Sequence, residues 1–345
     1  MRIQLLSRTG NSTAALLGLF AAIAAGQAPE PSPIAESLLV RRTADFVDSL
    51  ASRGEFSGVV VIAKNGAPVF QHAYGMADRS TRRPNTIETA FNLGSINKAF
   101  TATAIRQLAL AGKLDLDSTV GRYLPDYPNP EVARKVTIRQ LLNFRSGIGG
   151  DIFGMPPGGQ RSSIRTLAAY LPLFVNEPLE FEPGSRDKYS NAGYVVLGLL
   201  IERVSGQDYY SYVRDHIYAP AGMTRSGHFA VDSLPPNTAI GYTRQGVAVG
   251  DSLRANASIL PGRGSSAGGG YSTAQDLLRF LEATRARRIE GAPPPGLGVA
   301  GGTAGVNATV DGQLPGGYDL IVLANLDPPA AERVARTIRQ WLRAD

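Results

Sequence analysis

The sequence predicts an α+β domain: an antiparallel sheet built from both ends of the chain and flanked by helices, with a mostly helical region inserted between. Three observations predict it. A hairpin pattern lies near the amino end, at residues 58–63 and 68–74, with Asn65-Gly66 as its turn. Two further strand-like runs, at residues 306–310 and 318–324, flank a Gly-rich turn near the carboxyl end. Between them apolar residues recur mainly at helical spacing. A helix followed by antiparallel strands argues against a doubly wound parallel sheet. With 345 residues, 43% hydrophobic and 19% charged, the chain can bury a sizeable core, which excludes a disordered tail or a collagen-like fibre.

In chain order, Met1, Arg2 and Arg8 precede the apolar run Ala14–Ala25 and the small residues Gly26-Gln27-Ala28. That is the pattern of a secretory signal peptide, with cleavage expected near Ala24 to Ala28 and a periplasmic or secreted mature protein. The run is shorter than the ~20 apolar residues a bilayer span needs, so no stable span is expected after cleavage; an uncleaved anchor is the alternative. The segments read as signal peptide 1–26, linker 27–36, α/β region 37–112, helical region 113–223 and α/β region 224–345. Helices are expected at residues 37–50 and 95–112, then at 138–143, 164–175, 192–204 and 209–217, and finally at 330–342. Gly/Pro-rich loops separate them.

The chain has no cysteine, which removes disulfides, thiolate metal sites, iron–sulfur clusters and a cysteine nucleophile. Its three histidines, His72, His216 and His228, lack metal-ligand spacing and read as structural, so neither metal nor organic cofactor is expected. The net charge of +6 is scattered, and the short run Arg285–Arg288 is bracketed by Glu282 and Glu290. It reads as a solvated helix end, and no nucleic-acid partner is expected.

The chemistry concentrates in two strings. In Gly94-Ser95-Ile96-Asn97-Lys98, a helix starting at Ser95 puts Lys98 on the same face one turn later, within reach of the serine hydroxyl. Serine needs such a neighbour to become a nucleophile, and burial near the positive end of a helix dipole favours the neutral amine. In Lys188-Tyr189-Ser190-Asn191, a phenol and an amide two residues apart precede an apolar helix and can face one cleft. Alone, each string is also compatible with ordinary helix capping, by Ser95 in the first and Asn191 in the second.

Together, S-x-x-K and Y-x-N resemble the serine β-lactamase and penicillin-binding-protein superfamily, in its class C, D-peptidase and related esterase branch. The segments at residues 136–147, 194–198, 219–224 and 266–273 resemble that family too, and the likeness covers roughly Phe56 to Trp341. The resemblance implies a β-lactamase/transpeptidase-like fold and a serine hydrolase acting through an acyl-enzyme. It implies Ser95 as nucleophile, Lys98 as its activating partner and Tyr189 as proton shuttle or base. Asn191 would hold Lys98 and a substrate carbonyl, and the oxyanion hole would be the Ser95 N–H plus one from Gly302, with Gly301 beside it. A phenol acts as a base near neutral pH only where a cation stabilises its phenolate, a part open to Lys98.

The third motif departs from the family. Where a Lys or His, one residue and a Gly are usual, the sequence has Val299-Ala300-Gly301, preceded by a segment with three prolines, Pro293 to Pro295. Without that cation, carboxylate-bearing β-lactams and D-alanyl peptides are expected to be poorer substrates than neutral esters. Arg145 and Arg263 are the candidates to replace it. The expected partner is a small ester, amide or peptide, and nothing in the sequence specifies an oligomeric state. The alternative is a weakened or inactive member that binds a cell-wall fragment or peptide. Two decoys are set aside. Gly264-Ser265-Ser266-Ala267-Gly268 fits a hydrolase nucleophile elbow, but no histidine follows His228 to complete a triad. The G-x-G-x-x-G at residues 296–301 lacks a preceding strand.

Overall fold

A computed structural model describes residues 34–157, 159–246, 253–294 and 296–343. The expected leader and most of the linker lie outside the described residues. Helix α1 (Glu36–Ser52) leads into the hairpin of β1 (Gly58–Lys64) and β2 (Ala67–Tyr74). The hairpin turns through Asn65 and Gly66, with φ of 51° and 86°, the left-handed pair that a two-residue turn matching strand twist requires. Helix α2 (Asn97–Leu110) follows a single 3₁₀ turn at Gly94–Ile96. Beyond the helical segment, which includes α3 (Asn191–Ser205), come α4 (Ala274–Arg285), β3 (Gly298–Thr303), β4 (Val306–Leu314), β5 (Tyr318–Ala324) and α5 (Ala330–Trp341).

The five strands form one antiparallel sheet in the order β2-β1-β5-β4-β3. Amino- and carboxyl-terminal strands meet at its centre, where Val60 pairs with Val322, which in turn pairs with Thr309. Successive residues on a strand point to opposite faces, and both faces are covered. Val60, Ile62, Leu320 and Val322 pack with Leu39, Val47 and Leu50 of α1 and with Val334, Ala335 and Ile338 of α5. Val59, Val61, Ile321 and Leu323 join the other core, which runs through Phe100 and Ile105 of α2 into Val195, Leu197 and Ile201 of α3. Burial on both faces explains the near-continuous apolar run in β1. It also means that the sheet and the helical segment share one continuous core.

The sheet takes its strands only from the two ends of the chain, as the hairpin and the carboxyl-terminal runs predict. One helix differs from expectation. Of residues 164–175 only Ala168–Leu173 are helical, as a 3₁₀ segment with Pro172 inside it. Ile164 is extended, and its carbonyl accepts from the Arg263 N–H instead of from a residue four further on. The helix expected over 209–217 is α-helical from Tyr209 to Val213 and passes into a π turn at Arg214–Tyr218.

Candidate active site

The site forms where the 3₁₀ turn, the start of α3 and edge strand β3 converge. The Asn92 side chain accepts from the Gly94 N–H at 2.9 Å and starts the turn, with Gly94 at φ 51°. A Cβ on Gly94 would stand 2.9 Å from the Gly302 nitrogen, so no other residue fits between the turn and the strand. Gly301 is tighter still: a Cβ there would lie 2.1 Å from the Leu93 carbonyl oxygen and 2.6 Å from the Ser95 nitrogen. These glycines let the main chain at Ser95 lie directly against that of Gly301 and Gly302.

The turn from 3₁₀ to α geometry puts Lys98 one turn after Ser95. Lys98 Nζ lies 3.1 Å from Ser95 Oγ, 2.8 Å from Asn191 Oδ1 and 2.5 Å from the Ala267 carbonyl oxygen. Ser190 caps α3, accepting from the Gly193 N–H at 3.0 Å and donating to the Ile148 carbonyl. The cap is therefore Ser190, and Asn191, the first residue of the helix, is free to hold the lysine. Tyr189 stands just before the cap and donates to Ser95 Oγ at 2.6 Å. Ser95, Lys98, Tyr189 and Asn191 thus converge within hydrogen-bond reach.

Lys98 is buried, has no carboxylate partner among the described residues, and is brought by desolvation to a pKa of about 7. Burial pushes the Tyr189 phenol up, only partly offset by its hydrogen bond to Ser95. The Lys98 Nζ also lies 4.8 Å from the centre of the Tyr189 ring and 5.5 Å from that of Tyr194. These shifts favour a neutral amine on Lys98 and a protonated phenol on Tyr189.

Val299 does not reach the polar centre; it packs against the core beneath β3. Neither candidate replacement cation lines the cleft. Arg145 pairs with Asp187 at 3.0 Å. Arg263 donates to the His228 carbonyl at 2.8 Å and lies over the Tyr210 ring. The decoy Ser266 is buried and donates to the Tyr194 carbonyl at 2.8 Å, and Thr273 caps α4. Sequence reasoning missed three contributors: the Ala267 carbonyl on Lys98, the ring of Phe144 against Tyr189, and the Asn97 contact with buried His228 at 2.6 Å. The first is a main-chain group that no residue type announces.

No group of three or more metal-ligating side chains occurs among the described residues, and no helix there is long and apolar enough to cross a membrane. The Beta-lactamase family model matches residues 41–342. Esterase EstB of Burkholderia gladioli is 34% identical over 330 residues, 86% of this chain and 82% of that protein. Penicillin-binding protein 4* of Bacillus subtilis (strain 168) is 33% identical over 181 residues, 52% of this chain and 39% of that protein. The chain spans 54% of the length of PbpX from the same organism. The crystal structure of a penicillin-binding protein from Bacillus halodurans superposes with a TM-score of 0.74 at 31% identity, covering 85% of this chain and 98% of that one.

Proposed function

The chain belongs to the beta-lactamase family, and from that membership we propose that it is a serine hydrolase that cleaves an ester or amide through an acyl-enzyme on Ser95. One observation carries this reading: Ser95 Oγ has Lys98 Nζ at 3.1 Å and Tyr189 Oη at 2.6 Å, so a base and a proton donor address one hydroxyl.

In the acylation step, neutral Lys98 takes the Ser95 proton as Oγ bonds to the substrate carbonyl carbon. The carbonyl oxygen gains charge against the Ser95 and Gly302 N–H groups. The leaving oxygen or nitrogen then collects a proton through Tyr189, which is restored from Lys98. Water attacks the acyl-enzyme by the same route in reverse, freeing the acid and Ser95. Asn191 and the Ala267 carbonyl hold Lys98 in place through both steps. The binding-only alternative is not favoured, because all four polar side chains converge.

The test is intact mass after exposure to a fluorophosphonate and, separately, to a penicillin, in wild type and Ser95→Ala. One adduct per chain that is lost in the variant is expected with the fluorophosphonate. A folded wild-type protein that takes no adduct from either reagent overturns the reading in favour of binding alone. The leader pattern at residues 1–28 supports a periplasmic or secreted protein. Amino-terminal sequencing after expression from the native start should find a new terminus near Ala24 to Ala28, and a retained Met1 or Arg2 overturns that part.

A further inference from the structure

We propose that the cleft beside Ser95 is an acyl pocket for neutral apolar chains, with Phe153 favouring longer ones and Arg161 locking its wall; this rests on the serine-hydrolase reading above. The cleft opens at Ser95 and Gly302 and continues between Ile152, Phe153, Val231, Leu260 and Pro261. Its lining includes neither Lys98 nor Tyr189. The leaving oxygen must meet the proton donor as its bond to the carbonyl carbon breaks, so it lies on the Tyr189 side. The acyl chain extends the other way, into the apolar cleft.

Charge narrows the occupant. Arg161 is the one charged side chain lining the cleft among the described residues, and it is 7% exposed. Its Nε donates to the Ile259 carbonyl at 2.9 Å, and its Nη1 to the carbonyls of Ile152 at 3.3 Å and Gly154 at 2.5 Å. Its Nη2 also points to the Ile152 carbonyl, at 3.4 Å. The guanidinium is therefore spent on main chain, tying Ile152–Gly154 to the segment at Ile259. With four of the guanidinium's N–H contacts on main chain, a carboxylate entering the cleft would exchange its water shell for at most the one Nη2 N–H left over.

Phe153 completes the pocket. Ile152 is buried, whereas Phe153 beside it is 53% exposed at the mouth of the cleft. A ring left half in water there gains burial only when a chain lies beneath it, and the gain grows with each methylene covered.

The reaction forms the Ser95 Oγ–acyl bond and breaks the acyl–alkoxide bond, the Ser95 proton leaving on the alcohol; one water then releases the acid. The experiment measures kcat/KM for p-nitrophenyl acetate, butyrate and hexanoate in wild type and Phe153→Ala. It adds the p-nitrophenyl monoester of glutaric acid and a series of alkyl acetates. In wild type, kcat/KM is expected to rise about threefold per acyl methylene. The hexanoate-to-acetate ratio should fall at least fivefold in Phe153→Ala, and the glutarate ester should trail hexanoate by more than tenfold. A flat acyl series, a preference carried by the alcohol series instead, or an unchanged ratio in the variant overturns the pocket. Fluorophosphonate labelling of the same samples separates the two claims. Labelled Ser95 with a flat series sinks only the pocket; unlabelled Ser95 sinks the hydrolase reading and the pocket with it. Since Phe153 is exposed, its truncation does not threaten folding.

Discussion

The ring of Phe144 is stacked on that of Tyr189, centroids 4.9 Å apart and planes 27° apart, and it stacks equally closely on Tyr194 at 5.1 Å. Phe144 adopts a φ of 57°, a conformation that costs a non-glycine residue roughly 1–2 kcal/mol and persists only where the surroundings hold it. Its carbonyl accepts from the Lys188 N–H at 2.8 Å, so backbone and ring both brace the segment that carries Tyr189. Tyr189 itself is 53% exposed and precedes the helix cap, so nothing in its own element fixes its phenol on Ser95. Phe144→Ala should therefore lower kcat about tenfold or more while changing KM little, and Phe144→Tyr should restore most of it. Equal activity in Phe144→Ala would show that Tyr189 is held by other means.

Lys98 with a pKa brought to about 7 by burial predicts the acid limb of the rate profile. The amine works as base only when neutral, so kcat/KM should rise with pH through about 7 and level off above it. Lys98→Arg stays charged at every accessible pH and should lose activity by roughly a thousandfold or more, without recovery at high pH. A limb near 4 would assign the base to another group.

Acid stability should report on His228. Burial, assisted by the nearby Arg263 charge, lowers its pKa to about 3, whereas an exposed imidazole titrates near 6.5. Below pH 6.5 the unfolded chain takes up a proton that the folded chain refuses, so stability falls as pH drops from about 6.5 toward 3, by up to ~1.4 kcal/mol per unit. Above 6.5 the group contributes no pH dependence. His228→Gln should show a smaller loss between pH 7.5 and 5 in urea unfolding, whatever its absolute stability. An unchanged slope would place the acid sensitivity elsewhere.

Gly301→Ala should be far more damaging than its size suggests. The added Cβ would meet main-chain atoms of Leu93 and Ser95, neither of which can rotate away. A stability loss of ~2 kcal/mol or more is expected, with a fall in fluorophosphonate labelling rate even under conditions where the variant is folded. Labelling at the wild-type rate would mean that β3 and the Ser95 turn separate without consequence.

Val299→Lys tests the departure in the third motif. A cation reaching from this position toward the cleft should raise the acylation rate by a penicillin relative to a neutral ester, read as the ratio of the two rates. It should also destabilise the fold, because Val299 packs on the core. A fall in both rates in parallel would indicate disruption alone.

Strands and most helices are legible in residue order alone, because period-two and period-3.6 patterns are local and β1, β5 and the Asn65-Gly66 turn carry them plainly. Residue order also implies that Ser95 and Lys98 share a face, since three residues in a helical turn allow little else. What it left open depended on contacts between distant segments. Residues 164–175 read as a helix, but the Ile164 carbonyl is taken by Arg263, almost a hundred positions away in sequence. The protonation of the Tyr189 phenol and the Lys98 amine depends on how far each polar end is desolvated, which no local pattern encodes: desolvation raises the one pKa and lowers the other. The Arg161 lock and the Phe144 stack were equally invisible, because they join loops whose composition is unremarked until folding brings them together. Residue order states which groups are present; only packing sets the solvent and the neighbours that give each its pKa and its reach.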